Sequence, residues 1–191
     1  MEAEEFVNCV PDREKVWDYL SHSEKAQRMA DGLREIVEMA GSRNIADTPI
    51  TVVIEDFDDR NSPIACVSGM QWFAEQVPGL CFTFDTGNFI IHGEDIFAAW
   101  EELKDKVVHV HCKDRKISSD KPLQTQKNAT PDIKECYLPA AVGEGCIPIK
   151  ELVYKMKEYG YRGYLAIEHF DAADQKAYMQ KSAANLQEYC S

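Results

Sequence analysis

The sequence predicts an α/β fold of parallel strands joined by helical crossovers, on three observations. Strand-like and helix-like stretches alternate along the chain. Four β-branched or aromatic runs end in an acid or a histidine: VVIE at Glu55, FTFD at Asp85, VVHVH at His111 and YLAIE at Glu168. These ends lie 30, 26 and 57 positions apart. The first two intervals suit one strand and helix each, and the third suits one such repeat plus a long loop.

The elements follow in order. FVNCV at 6–10 is a short apolar stretch of strand type, and Pro11 and Asp12 open the helical segment REKVWDYL. Ser21 with Glu24 makes a capping box for a second helix. In it Ala26, Met29, Ala30, Leu33, Ile36, Val37 and Ala40 recur at helical spacing until Gly41. A polar turn leads to TVVIE and the acidic, turn-like DFDDRNSP. Residues 65–76 read as a helix with Val67, Met70, Phe73 and Ala74 inward, stopped by Pro78 and Gly79. LCFTFD is the next strand, TGNF its exit loop, residues 93–103 a helix, and KVVHVH a strand.

Residues 113–146 are polar and aperiodic; a loop of that length in a compact domain is usually either functional or mobile, and this one is expected to lie over a site. Pro148 then starts the helix IKELVYKMKEYG, YRGYLAIE is the last strand, and residues 171–190 form a closing helix. No linker interrupts the chain, so 1–191 is expected to be a single domain.

Composition narrows the function. A chain of 191 residues that is 45% hydrophobic and 28% charged is that of an ordinary globular domain. A net charge of -12 repels phosphate backbones and anionic bilayers, so neither nucleic acid nor a membrane is an expected partner. The start MEAEEF has no signal or transit character, and the expected compartment is the cytoplasm. Seven scattered cysteines without a CxxC pair point to neither a disulfide framework nor a zinc knuckle.

The strand ends carry the chemistry. Parallel α/β folds gather functional groups at the carboxyl ends of their strands. A lone acid there is ordinarily a helix cap or a solvated loop residue; four in register are a constellation. His109 and His111, two apart, point to the same side of their strand. Two glutamates, an aspartate and a histidine at one point carry too much negative charge to remain unpaired, and a divalent cation neutralises it. Oxygen-rich ligation with one imidazole suits Mn²⁺ best, with Mg²⁺ or Co²⁺ possible, rather than tetrahedral zinc. Such an ion would acidify a carbon-bound proton beside a sugar carbonyl, and a carboxylate on either face would remove and return it.

VVIED, FTFDTGNF, VVHVHCKD, VGEGCIPIKEL and GYRGYLAIEHF together resemble the carboxyl-terminal half of the xylose isomerase-like TIM barrels, the sugar isomerase and epimerase family, over roughly residues 25–170. The resemblance implies metal ligands Glu55, Asp85, His111 and Glu168, with Glu55 and Glu168 as the catalytic acid/base pair. It places His109 beside the metal and Arg115 near the substrate. Asn88 stands where the ketose epimerases carry a substrate-binding histidine, three residues after the aspartate; an amide still hydrogen-bonds a sugar oxygen but cannot take a charge.

The implied fold is therefore a TIM barrel of (β/α) repeats, incomplete at four to five strands, because a whole barrel takes about 250 residues. The implied function is a metal-dependent isomerase or epimerase of a sugar or sugar derivative. The alternatives are a metal-dependent lyase acting on oxidised sugar glycosides and a non-catalytic or obligate partner subunit. An endonuclease of abasic DNA shares the fold but needs more histidines and a basic groove. A half barrel is expected to require another chain or the missing half, with the inner faces of Val52, Ile54, Phe82, Val108 and Ile167 otherwise meeting water.

Overall fold

A computed structural model describes residues 12–45, 47–59, 61–118, 136–170 and 172–191. The strand expected at 6–10 lies outside them. Helix α1 (Arg13–His22) starts at Asp12, whose carboxylate accepts from the N–H groups of Glu14 and Lys15. The capping box at Ser21 is not formed. Helix α1 runs through Ser21, and Ser23 Oγ instead caps α2 (Glu24–Gly41), accepting from Ala26 N–H at 3.3 Å. Ser21 Oγ accepts from Trp72 Nε1–H at 3.2 Å, so a tertiary contact takes the hydroxyl that sequence spacing assigns to the cap. In α2 the alanines 26, 30 and 40 are buried and Met29, Leu33 and Val37 pack on the core, while Ile36 falls off that stripe and stays 52% exposed.

After α2 come the antiparallel pair β1 (Asn44–Ile45) and β2 (Thr48–Pro49), then β3 (Val53–Glu55), α3 (Val67–Gln76), β4 (Cys81–Asp85), α4 (Ile96–Leu103) and β5 (Val107–Cys112). The segment expected as an aperiodic loop instead contains β6 (Asp114–Ser118) and β7 (Cys136–Ala140), an antiparallel ribbon in register from Asp114 with Ala140 to Ser118 with Cys136. Helix α5 (Ile149–Tyr159), β8 (Tyr164–Ile167) and α6 (Gln175–Cys190) follow. Among the described residues the main sheet has four parallel strands in the order β3-β4-β5-β8, and it does not close on itself.

Alternation along these strands sorts the two faces. Ile54, Phe82, Phe84 and Val110 are buried against the helices, with Met70, Trp72, Phe73, Trp100, Leu103 and Leu152. The ring of Phe84 meets Trp100 edge-on at 5.7 Å. Val52, Leu165 and Ile167 also pack on this core. Four of the five residues expected to line an open inner face therefore turn the other way, and only Val108 of that set is exposed, at 42%. The opposite, concave face carries residues in phase with the strand-end acids: Val53, Thr83, His109 and Tyr164. Tyr164 is 80% exposed there. No helix among the described residues is long and apolar enough to cross a membrane.

Candidate metal and sugar site

Parallel register brings the four strand ends together. Asp85 pairs with His111 across β4 and β5, and Glu168 follows directly on β8, its N–H donating to Cys112 O at 3.2 Å. As a result Glu55, Asp85, His111 and Glu168 each offer one ligand atom, and all four atoms lie within 4.8 Å of one another. His111 Nδ1 donates to Glu55 Oε1 at 2.8 Å, with Glu168 Oε2 equally near at 2.8 Å. One N–H cannot serve both carboxylates well. A cation among three carboxylates and one imidazole would relieve that crowding, and the donors suit a hard or borderline divalent ion.

Asp85 is completely buried. Its Oδ1 accepts from Gly87 N–H at 2.7 Å, and its Oδ2 forms an ion pair with Lys113 Nζ at 2.6 Å. Burial pushes the Asp85 carboxyl up to about 6, against the opposing pull of Lys113. Lys113 also reaches Glu168 Oε1 at 3.0 Å. Burial alone would lower the Lys113 ammonium, but the adjoining carboxylates, Asp85 first, more than reverse this and raise it.

Behind the cluster stands Asp56, fully buried, with Oδ1 accepting from Asp85 N–H at 2.8 Å and Oδ2 without a hydrogen-bond partner. Burial, then the Asp85 charge, holds its carboxyl well above the usual range. The sequence places Asp56 in the acidic, turn-like DFDDRNSP and assigns Lys113 no role. Lys113 is two residues beyond His111, so strand alternation was the signal that it continues on the same face.

The other expected site residues divide by depth. His109 sits on the concave face, its ring edge-on to His111 at 5.2 Å; burial, then the neighbouring imidazole, lowers its pKa. Asn88 is buried, its amide donating to Asp56 O at 2.9 Å and its Oδ1 accepting from Lys113 Nζ at 3.3 Å and Arg115 Nη2 at 3.2 Å. Arg115 also donates through Nε to Gly87 O at 2.5 Å, and Asp58 Oδ2 lies 3.6 Å from its Nη2. Asn88 thus braces the two cations that flank the acids. The exposed rings of Phe57 and Phe170 follow the β3 and β8 acids on the same rim, and Lys113 Nζ lies 5.4 Å from the Phe170 ring centre.

Comparison with known proteins agrees with this fold. A family model described as xylose isomerase-like TIM barrel matches residues 2–189. Inosose dehydratase of Lacticaseibacillus casei is 28% identical over 86 residues, 44% of this chain and 28% of that protein. A xylose isomerase domain protein from Planctomyces limnophilus superposes with a TM-score of 0.63 at 20% identity, over 94% of this chain and 54% of that one. For 3-keto-D-glucoside 4-epimerase from E. coli the TM-score is 0.60 at 18% identity, over 87% and 56%. The chain spans about half the length of these solved structures.

Proposed function

Because the chain belongs to the xylose isomerase-like TIM barrel family, we propose that it acts on a sugar or sugar derivative by moving a carbon-bound proton between Glu55 and Glu168, as an isomerase or epimerase. The observation that carries this reading is the convergence of Glu55, Asp85, His111 and Glu168 within 4.8 Å. Those four side chains would hold a divalent cation, Mn²⁺ in the first instance and Mg²⁺ or Co²⁺ in its place, which when bound polarises a substrate carbonyl and acidifies the adjacent C–H.

The chain's own residues supply the rest. Glu55 and Glu168 flank His111 from opposite sides of β5, so one carboxylate accepts a proton from a sugar carbon while the other returns it. Asp85, buried and braced, orients rather than exchanges. His109 offers a ring nitrogen to a substrate hydroxyl from the concave face, and Arg115, held by Gly87 O and Asn88, directs a cation toward the substrate side of the rim. Asn88 acts on the substrate through Arg115.

Lyase chemistry is the second reading, favoured by the inosose dehydratase relative. Abstraction of the same proton, followed by departure of a hydroxyl one carbon further on, gives a dehydrated product. Incubation with ketoses, keto-inositols and sugar acids in D₂O with Mn²⁺, followed by mass spectrometry, separates the two. Gain of one deuterium without other change marks isomerase or epimerase chemistry, and loss of one water marks the lyase. Absence of both deuterium gain and water loss with every substrate class would support the non-catalytic subunit instead.

A further inference from the structure

We infer that Lys113 sets the charge preference of the Glu55, Asp85, His111 and Glu168 site, holding a fixed positive charge against two of its carboxylates and so favouring a divalent over a trivalent cation. The inference rests on the metal reading above and deepens it.

Lys113 is fixed from end to end. Its backbone is locked to Thr86 in both directions, Lys113 N–H donating to Thr86 Oγ1 at 2.9 Å and Thr86 Oγ1 donating to Lys113 O at 2.8 Å. Its stem runs over Gly87 so closely that a Cβ there would collide with Lys113 Cβ, Cγ and Cδ. The ammonium ends 2.6 Å from Asp85 Oδ2, 3.0 Å from Glu168 Oε1 and 3.3 Å from Asn88 Oδ1, and the residue is only 6% exposed. Arg115, the other nearby cation, is directed to Gly87 O, Asn88 and Asp58, none of them among the four convergent groups. Among the described residues, Lys113 alone therefore places a positive charge in contact with the cluster.

A fixed charge repels a bound cation in proportion to that cation's own charge, so Lys113 opposes a trivalent ion half as much again as a divalent one. Burial removes most of the salt screening that would erase the difference. Lys113 also engages one oxygen of Glu168 while His111 faces the other, which makes it a positioning residue for the ligand carboxylates. Loss of positioning weakens all cations together, whereas loss of charge changes their ranking.

The test is the ratio of Tb³⁺ to Mn²⁺ affinity, read by terbium luminescence and manganese electron paramagnetic resonance on the full chain after chelator treatment. Lys113→Met is expected to raise the ratio by about tenfold or more, while Lys113→Arg, which keeps the charge, leaves it within about twofold of the parent. Lys113→Gln, neutral but still able to donate to a carboxylate, is the second neutral variant and should move with Lys113→Met. An unchanged ratio in the neutral variants, or an equal rise in Lys113→Arg, overturns the inference. Asp85→Asn separates the two layers. If the parent binds neither ion, or Asp85→Asn leaves Mn²⁺ binding intact, the metal reading itself fails. If Mn²⁺ binding depends on Asp85 but the ratio ignores Lys113, only the present inference fails.

Discussion

Asp114 Oδ2 accepts the backbone N–H of Gly145 at 2.9 Å, tying the first residue of β6 to the loop that feeds α5. The same oxygen takes Gly143 N–H at 2.9 Å, and Oδ1 takes the N–H groups of Arg115 at 2.8 Å and Ile147 at 3.3 Å. Gly145 has no room for a side chain, since a Cβ would meet the Asp114 carboxylate and Arg115 O. Lys113 and Arg115 flank Asp114, so this clamp fixes the base from which both site cations extend.

Asp114→Ala is therefore expected to destabilise the fold by about 3–5 kcal/mol, because it strips the acceptor from four N–H groups around a residue that is itself buried. Urea unfolding measures this directly. A loss below about 1 kcal/mol would show that the 143–147 loop is held by other contacts.

Glu168→Gln should separate chemistry from binding. Its amide oxygen still ligates a cation weakly but accepts no proton, so turnover is expected to fall about a thousandfold or more while cation affinity falls only roughly tenfold. Calorimetric titration of Mn²⁺ beside a proton-exchange assay gives both numbers. Equal losses would assign Glu168 a structural role alone.

The pH dependence of stability is expected to centre on Glu94. Cys66 offers no side-chain cap to α3, and both Glu94 oxygens reach Val67 N–H at 3.2 Å instead. Burial pushes the Glu94 carboxyl from 4.5 to about 7, outweighing that hydrogen bond. Between these values the folded protein retains a proton that the unfolded chain has released. Its contribution is thus complete below pH 4.5 and lost as pH rises through 7. Glu94→Gln keeps an acceptor for Val67 and cannot ionise. The variant should be more stable than the parent by roughly 1–3 kcal/mol at pH 8 and indistinguishable from it at pH 4. Denaturation curves at the two values decide, and a difference independent of pH would remove Glu94 as the source.

What the sequence revealed and concealed has a physical basis at each residue. Glu55, Asp85, His111 and Glu168 were legible because parallel strands put their carboxyl ends on one rim, and the spacing between acids is the length of a repeat. The ribbon of β6 and β7 was not, because DRKIS presents no apolar face of period two, Ile117 stays exposed, and the partner strands are far apart in sequence. Asp56 was hidden by its neighbours, since an acid inside DFDD reads as solvent-facing until the Asp85 backbone claims it. Ser21 failed as a cap because propensity is local while Trp72 arrives from another helix. Val52, Ile54, Phe82 and Ile167 were misread by one position along the chain, the slip that sends a side chain to the opposite face.

That correction sharpens the expectation about association. The concave face is lined by Val53, Thr83, His109 and Tyr164, and among the described residues β3 and β8 are the edge strands of the sheet. Unpaired strand edges beside exposed side chains are a template for another chain's strands. An added polypeptide of parallel (β/α) repeats would pair both edges, cover Tyr164, and wall the open side of the acid cluster. The isolated 21.7 kDa chain is accordingly expected to sediment as a heavier, concentration-dependent species, and to exchange substrate protons poorly until such a partner is supplied. Hydrogen exchange at the β3 and β8 amides should slow as association proceeds. A sharp monomer that unfolds cooperatively and exchanges substrate protons at full rate would show instead that four strands and their helices suffice.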